Sequence, residues 1–490
     1  MSTPTPAGGV EAGRGVDPKR AVPVILFLFV FSLIIDNGFK FVSKSIGDDL
    51  GLSASTVSLQ ATLAGVIIGI GAVVYATLAD TFSIRKLLIA AVAMICVGSL
   101  VGYVFRTSFE GILAGRIIQT CGLAAAETLY VIYVTKYLRR EDQKTYLGFS
   151  TAAFQLSLLL GAVASGFIAT YVHWTVFFLV PLLCVFALPG VLRKVPRHEV
   201  TAGHVDVLGL FLIAVFATCV MLFLQNFVWW WLLPVTAAMV VFVLHIRYGR
   251  RAIVDRSFFA EPRYPSMLAV VFVLYSAQLA YMFMFPFLMA DLYGLDAGAA
   301  SLLLAPGYLC AVLVGILSGR IARYLDSKRA ITLAICMMIL ALAGPAVLVE
   351  AGTWVFVVSV TLFASGFALI YAPLVSTAIR DIAPEKSGVA IGFYNLTINI
   401  AIPLGIAYVA MLIDLSPRFL SWLSLAATEQ GEQYANVLWI IAVITTLGLV
   451  VYRVSIAALE RQDARLGRTD DPAEVTQRPS NTSVSDHTRR

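Results

Sequence analysis

The chain has 490 residues, of which 59% are hydrophobic and only 13% are charged. A soluble domain has about 25% charged residues, so this composition excludes an ordinary soluble protein. The net charge of +6 does not indicate nucleic-acid binding, because the basic residues are spread over many short segments between long apolar runs. We therefore interpret the chain as an all-α protein that crosses a membrane many times.

The apolar runs have the length of about 20 residues that a transmembrane helix needs. They predict fourteen spans, at residues 21–43, 54–78, 86–105, 110–133, 145–171, 174–192, 207–224, 228–246, 266–289, 299–318, 329–349, 353–374, 387–411 and 434–454.

The connections between these spans alternate in charge. One set is rich in Lys and Arg, as in the pair Arg85 and Lys86, whereas the opposite set holds only Lys44, Arg106 and Arg418. By the positive-inside rule the basic set faces the cytoplasm, and so do both termini. We expect a protein of the plasma or inner membrane with disordered cytoplasmic tails at 1–20 and 455–490.

The first span holds charged residues that a bilayer disfavours. Asp36 and Lys40 lie inside it next to Asn37, and a charge near the centre of a bilayer costs about 2.5–3.5 kcal/mol on insertion scales. Lys40, near the predicted outer interface, has two interpretations. It either extends toward lipid headgroups or contacts an anionic group of a substrate.

The fourth span carries a polar stripe. Arg116 and Glu127 are eleven residues apart, which returns a helix to nearly the same face, and Gln119 and Thr120 follow Arg116 by one turn. The rise of about 1.5 Å per residue puts Arg116 at a depth similar to that of Asp36. The sequence therefore predicts a pair in which each charge offsets the burial cost of the other. The pair is either a site of proton coupling or a static bridge.

Two pairs of loops reveal an internal repeat. Residues 141–149 read EDQKTYLGF and residues 385–393 read EKSGVAIGF, 244 residues later. The loop 76–86 and the loop 319–329 are 243 residues apart, and both end in a basic pair. Parallel repeats of this kind build secondary transporters whose substrate site lies between the halves. The predicted units are a six-helix half at 21–192, two inserted helices at 207–246 and a second six-helix half at 264–454.

The same loops carry motifs of a known family. Leu78, Asp80, Arg85 and Lys86 fit a G-x-L-a-D-r-x-G-r-k pattern after span 2, and Arg116, Gln119 and Gly122 fit R-x-x-q-G-x-g in span 4. Residues 161–166 read GAVASG where the family has G-P-x-x-G-G. The chain thus resembles the major facilitator superfamily, and within it the bacterial fourteen-span drug:proton antiporters that include tetracycline and multidrug efflux proteins. It departs from the family's patterns at Ala76, Ser83 and Ala162.

The resemblance implies roles for particular residues. Arg116 takes the position of an arginine that is linked to proton coupling in the family. The residues at the positions of the family's cytoplasmic gate are Asp80, Arg85 and Lys86. Gly161 and Gly166 belong to the span-5 motif and are further gating candidates. We expect Asp36, Arg116 and Glu127 to take part in proton coupling, with Glu127 alternatively hydrogen-bonded to a neighbouring helix. Further substrate-contact candidates, each alternatively a contact between helices, are Asn37, Lys40, Gln60, Gln119, Gln155, Gln278, Tyr281, Asn395 and Asn399.

The functional prediction is a proton-coupled exporter of an amphipathic small molecule. Its partners are the substrate, protons and membrane lipids, and we expect a monomer without cofactor, bound metal or nucleic acid. Since neither a G-x-x-x-x-G-K-[ST] motif nor a nucleophile–base or metal-ligand set occurs, we predict no enzyme. Two alternatives remain open: export of an endogenous envelope lipid or metabolite, and a non-transporting membrane scaffold or sensor.

Overall fold

The computed structural model describes residues 18–196, 207–226, 228–248, 262–321, 324–380, 382 and 387–465. The first half of the fold contains seven helices in the described residues: α1 Val22–Phe41, α2 Ser43–Leu50, α3 Ala54–Thr81, α4 Ile84–Val104, α5 Phe109–Tyr137, α6 Arg140–Tyr171 and α7 Leu188–Lys194. The second half contains α10 Arg263–Tyr293, α11 Ala297–Ile321, α12 Ser327–Val347, α13 Thr353–Ile379, α14 Ser387–Leu415 and α15 Glu429–Arg465. Between the halves lie α8 Val207–Asn226 and α9 Leu232–Tyr248.

The number of spans differs from the sequence prediction. Among the described residues, twelve helical segments are long and apolar enough to cross a membrane, and Trp229–His245 forms a shorter apolar helix. The prediction of fourteen spans is therefore not confirmed, although helices α8 and α9 lie where the two inserted spans were predicted. Helix α8 packs on α9 and also contacts α3 and α14, so the inserted pair lies against the junction of the two halves.

The sixth span is mainly not an α-helix. Most of it forms 3₁₀ turns, Trp174–Phe178 and Val180–Ala187, and only Leu188–Lys194 is α-helical. Pro181 and Pro189 lie near the starts of the last two segments. Since a proline has no amide hydrogen and blocks the preceding turn, it suits the first turn of a segment and interrupts a long helix.

The packing repeats at glycines in equivalent places. A Cβ atom on Gly122 of α5 would lie 2.4 Å from the carbonyl oxygen of Ala91, and one on Gly366 of α13 would lie 2.9 Å from that of Ala334. Gly161 of α6 approaches α1 in the same way as Gly405 of α14 approaches α10. Gly122 and Gly366 are 244 residues apart, and so are Gly161 and Gly405. Both halves therefore use the same close helix crossings.

The two halves meet along two long helix pairs, α6 with α11 and α3 with α14. Gly166 lies at the first crossing, where a Cβ atom would come within 2.5 Å of the carbonyl oxygen of Ala297. Gly65 lies at the second, against the ring of Pro403. These pairs bring α1 and α10 face to face at the centre of the molecule.

The close crossings predict a difference between two glycines. Gly405→Ala places a methyl group 2.0 Å from the carbonyl oxygen of Ser276, which a backbone atom cannot avoid without a helix shift. We expect a loss of about 1–3 kcal/mol, as for other overpacked sites. Gly315→Ala, inside α11 with no side chain or other helix within 4 Å of the added Cβ atom, should instead gain about 0.5–1 kcal/mol of helix stability. Thermal unfolding of the purified variants distinguishes the two. Equal unfolding temperatures would contradict the packing at Gly405.

Candidate functional site

Asp36 lies between two cations. Its Oδ1 accepts a hydrogen bond from Nη2 of Arg116 at 3.1 Å, and its Oδ2 accepts one from Nζ of Lys40, one helical turn away. Asp36 is 4% exposed and Arg116 is 1% exposed. The contact between spans 1 and 4 that the sequence predicts is therefore present. The buried carboxylate has a cation on each side.

Arg116 has further partners. Its Nε donates to Oε1 of Gln60 at 3.2 Å, its Nη1 donates to Oε1 of Gln119, and its guanidinium stacks 4.2 Å from the centre of the Phe39 ring. Gln60 in turn donates to the carbonyl oxygen of Phe39 and to Ser43. Arg116 is therefore held by α1, α3 and α5 together, and two of its hydrogen bonds go to the uncharged Gln60 and Gln119.

Lys40 turns inward, so the interpretation of a lysine extended toward headgroups is wrong. Besides Asp36, its Nζ contacts Oδ1 of Asn37 at 3.5 Å, and the amide of Asn37 donates to Ser157 of α6 at 3.2 Å. The cause is electrostatic: a carboxylate one turn away in a buried position attracts the ammonium more than the interface does. The sequence places the two residues four apart but does not reveal which rotamer Lys40 adopts.

Glu127 is the second carboxylate of this region. It lies on α5 two helical turns beyond Thr120, and its Oε1 is buried without a hydrogen-bond partner among the described residues. It lies close enough to Asp36 and Lys40 to interact with both charges. An unpaired buried carboxylate oxygen is costly while the group is ionised. Glu127 is therefore a second candidate, after Asp36, for a carboxyl group whose protonation changes the charge of this region.

A small cavity of about 20 Å³ lies between the two halves, beside Lys40. This is roughly the space that one water molecule needs. Its walls come from α1, α6, α10 and α11, with the side chains of Asn37, Lys40, Phe41, Leu158, Ala162, Leu279, Met282, Phe283 and Tyr308. Asn37 and Lys40 therefore line a space shared by both halves, whereas Arg116 lies behind them inside the first half.

The other predicted contact residues divide into three groups. Gln60 and Gln119 hold Arg116, as described above. Gln155 and Gln278 are buried, and the Oε1 of each lacks a partner among the described residues. The remaining three residues belong to the second half. Tyr281 forms a hydrogen bond with Ser359, and Asn399 packs on Gly69 of α3. Asn395 is half-buried on α14.

The predicted gate residues lie near the junction of α3 and α4. Arg85 is half-buried and Lys86 is exposed in the first turn of α4, which the side chain of Ser83 caps. Asp80 belongs to α3, and its side chain lies outside the described part of the structure. Gly161 and Gly166 lie at the helix crossings described above, one within the first half and one between the halves.

The two halves are joined by polar contacts at one end, which the charge pattern predicts to be the outer end. Nζ of Lys44 lies 2.6 Å from Asp48 and 3.4 Å from Asp291 of α10. Both oxygens of Asp414 accept backbone hydrogen bonds from α3, at 2.9 Å from Ala54 and 2.8 Å from Ser55. This end, which is the predicted outer end, is therefore closed in this conformation.

The charge of Lys44 stabilises this closure. Burial alone would lower its pKa, but the hydrogen bond to Asp48 and the attraction to Asp291 outweigh burial and raise the pKa above its ordinary value. Lys44 contributes stability below its unfolded pKa and loses it only as the pH rises through the higher folded value. The contact between Lys44 and Asp291 is not predictable from the sequence, because it joins residues from separate halves that no local pattern connects.

The comparisons with known proteins agree with this architecture. The family model of the Major Facilitator Superfamily matches residues 25–406, and a second match covers 267–481. The chain belongs to the Major Facilitator Superfamily. A crystal structure of the nucleoside transporter NupG has a similar fold, with a TM-score of 0.63 over 90% of this chain and 100% of NupG at 13% identity.

Relatives within the superfamily have different names. The riboflavin transporter RibZ of Clostridioides difficile (strain 630) is 21% identical over 446 residues, which are 88% of this chain and 96% of RibZ. The multidrug resistance protein Stp of Mycobacterium tuberculosis (strain CDC 1551 / Oshkosh) is 21% identical over 418 residues, 82% of this chain and 75% of Stp. The chain is therefore a transporter-family protein rather than an enzyme.

The outer closure predicts an effect of Asp414. Asp414→Ala leaves two amide groups at the start of α3 without their acceptors across the junction. The loss of a helix cap costs about 1 kcal/mol, so we expect about a fivefold faster reaction of a Phe41→Cys variant with a membrane-impermeant maleimide. The control is Asp326→Ala, whose carboxylate precedes α12 without a capping hydrogen bond. An equal rate in both variants would contradict a role of Asp414 in closure.

Proposed function

We propose that the protein is a proton-coupled secondary transporter that exports an amphipathic small molecule by alternating access. The observation that carries this proposal is the buried Asp36 between Lys40 and Arg116. Charged groups inside membrane spans are costly and mark ion and substrate pathways. The cavity beside Lys40 connects this cluster to the junction of the halves.

The cluster supplies a physical route from a proton to a conformational change. A proton on Asp36 cancels its charge, and both cations lose their ionic partner. Arg116 keeps its bonds to Gln60 and Gln119, whereas Lys40 keeps only the contact with Asn37. Lys40 is thus the group that moves most easily, and it lies on α1 next to the second half.

Glu127 extends the route toward the inner end. Its Oε1 faces no donor among the described residues in the outward-closed conformation, so a proton on Glu127 removes the cost of burying an ionised group. In the proposed cycle Asp36 takes up a proton from outside when the outer end opens, and the substrate leaves through that same opening. After the outer end has closed, Glu127 receives the proton and releases it toward the cytoplasm.

A second candidate is transport of an endogenous polar metabolite. The similarity to the riboflavin transporter RibZ covers nearly the whole length of both proteins, whereas the match to the putative multidrug resistance protein MdtD of Yersinia enterocolitica serotype O:8 / biotype 1B covers 37% of this chain. The buried amide groups of Gln155 and Gln278 favour a polar compound over a purely apolar one. The two candidates differ in substrate but share the transport mechanism.

The central experiment replaces Asp36 in purified protein. Asp36→Asn leaves two buried cations without a carboxylate, and breaking a buried pair costs about 3–5 kcal/mol, so we expect a large loss of thermal stability. Combining it with Lys40→Met and Arg116→Met removes all three charges and should restore stability. Flux of riboflavin and tetracycline in proteoliposomes then measures coupling. In the triple variant an imposed pH gradient should no longer accelerate the flux, and acceleration equal to that of the wild type would make the cluster structural only.

Glu127 has a milder test. Glu127→Gln removes the titrating group but retains shape, so we expect unchanged thermal stability and at least a tenfold loss of the acceleration of flux by a pH gradient. Glu110→Gln, at the exposed start of α5, is the matched control. If both variants respond to the gradient like the wild type, Glu127 has no part in coupling.

The predicted orientation can be measured in intact cells. An impermeant maleimide should label Ala351→Cys in the connection between α12 and α13. It should not label Tyr324→Cys, which is exposed at the opposite end. The reverse pattern would invert the topology, and with it the direction of the proposed closure.

A further inference from the structure

We propose that the cavity beside Lys40 binds an uncharged amphipathic molecule that both accepts and donates hydrogen bonds, and that Lys40 rejects cations from it. This inference rests on the alternating access of the proposed transport function, but on neither its direction nor its coupling to protons. The closed cavity of about 20 Å³ holds roughly one water molecule, so a larger ligand enters only when the two halves separate. It concerns the junction of α1, α6, α10 and α11.

The two halves build the cavity from equivalent positions. Asn37, Lys40 and Phe41 of α1 line one wall, and Leu279, Met282 and Phe283 of α10, each 242 residues later, line the opposite wall. Lys40 is thus faced by the apolar Met282, and Asp36 corresponds to the uncharged Gln278. The site lies on the approximate symmetry axis of the fold, where a substrate can contact both halves.

Three buried polar groups around this cavity lack partners among the described residues. Within the described part of the chain, Tyr308 lines the cavity and its hydroxyl is unpaired, whereas Gln155 and Gln278, each with an unpaired Oε1, lie outside the lining of the closed cavity but on helices that build it. Gln155 precedes the lining residue Leu158 by three positions on α6, and Gln278 precedes Met282 by four positions on α10, so each amide lies one turn further inward on the same face. The exposures of Tyr308, Gln155 and Gln278 are 2%, 6% and 4%, respectively. Buried polar groups are normally hydrogen-bonded, so these atoms need a partner.

These groups specify the chemistry of the ligand. An amide oxygen accepts hydrogen bonds, so Gln155 and Gln278 need N–H or O–H donors from the ligand. Tyr308 can donate to a carbonyl or hydroxyl oxygen. Leu158, Ala162, Leu279 and Phe283 provide the apolar surface that an amphipathic molecule needs. A permanent cation without N–H groups satisfies none of the three polar atoms.

Charge acts in the same direction. Lys40 is the charged member of the cavity lining, and no Asp, Glu, Lys or Arg occurs in residues 264–290 or 297–319 of the facing helices. An entering cation therefore meets an ammonium group and no acidic residue in the described lining. The repulsion of a cation persists although Lys40 contacts Asp36, because Asp36 is shared with Arg116 and the three groups together keep one net positive charge. An anion is not favoured either, because the unpaired amide oxygens would repel a carboxylate.

Binding of a matched series tests the substrate class. The probes share an eight-carbon chain: octanamide has donors and an acceptor, N,N-dimethyloctanamide has only the acceptor, octanoate is an anion and octyltrimethylammonium is a cation. Calorimetry uses the full chain in phosphatidylcholine nanodiscs, with empty nanodiscs subtracted. We expect octanamide to bind at least tenfold more tightly than octyltrimethylammonium and about fivefold more tightly than the dimethyl compound.

Other results overturn the assignment. If octanoate binds more tightly than octanamide, the site is an anion site. If octyltrimethylammonium binds as tightly as octanamide, Lys40 does not reject cations. If octanamide does not bind at all, the proposed site does not exist. The double variant Gln155→Leu, Gln278→Leu should bind octanamide and its dimethyl derivative equally while remaining folded. A retained preference for octanamide would show that the two amides are not the acceptors.

Variants of Lys40 test the rejection of cations. Lys40→Met should bind octyltrimethylammonium at least tenfold more tightly than the wild type, whereas Lys40→Arg keeps the charge and should not. Lys194→Met is the matched control, because Lys194 is exposed at the end of α7 and lies outside the cavity. If Lys40→Met leaves cation binding unchanged, Lys40 is not the selective group. The binding measurements use no pH gradient, so they do not depend on proton coupling. If the probes bind but a pH gradient drives no flux in proteoliposomes, the proposed coupling is refuted and this site is not.

Discussion

The ion cluster of Asp36, Lys40 and Arg116 constrains the first half of the fold. Two cations share one buried carboxylate, and burial in low dielectric is tolerable only when each charge has a partner and each remaining donor has an acceptor. Gln60, Gln119, Ser43 and Ser99 complete that requirement in a second layer of hydrogen bonds. The helices that supply these groups cannot move apart independently, which makes α1, α3, α4 and α5 one mechanical unit.

Close packing of helices is the second constraint, and it depends on small residues. Gly98 and Gly115 let α4 and α5 approach until a Cβ atom on either would overlap backbone, and this approach positions Gln119 next to Ser99. In the second half the corresponding contact is polar, with Ser359 bonded to the carbonyl oxygen of Ala341. Membrane helices have no apolar driving force between them, so close van der Waals contact and such hydrogen bonds stabilise their association.

Much of the architecture follows from the sequence alone, because span length, loop charge and a repeat of 243–244 residues are properties of the chain. The contact of Asp36 with Arg116 is also predictable from helical spacing and depth. Three features are not. The inward rotamer of Lys40 depends on a packed neighbourhood, the Asp414 cap joins residues about 360 positions apart, and the 3₁₀ turns at Pro181 replace a span whose hydropathy is typical of an α-helix.

The repeat makes the asymmetry of the molecule interpretable. Positions 244 residues after Arg116 and Glu127 hold Val360 and Tyr371, and those 242 residues after Asp36 and Lys40 hold Gln278 and Met282. The backbone frame is thus the same in both halves, but these four charged side chains belong to the first half, at positions where the second half is uncharged.

A single ion cluster avoids a second desolvation cost, since each buried ion needs its own partners. The second half retains tyrosine and glutamine side chains at this level, whose hydrogen bonds do not depend on pH near neutrality. Under the proposed mechanism, this division separates the group that titrates from the surface that selects the substrate, so that a change in substrate does not require a change in the ion cluster.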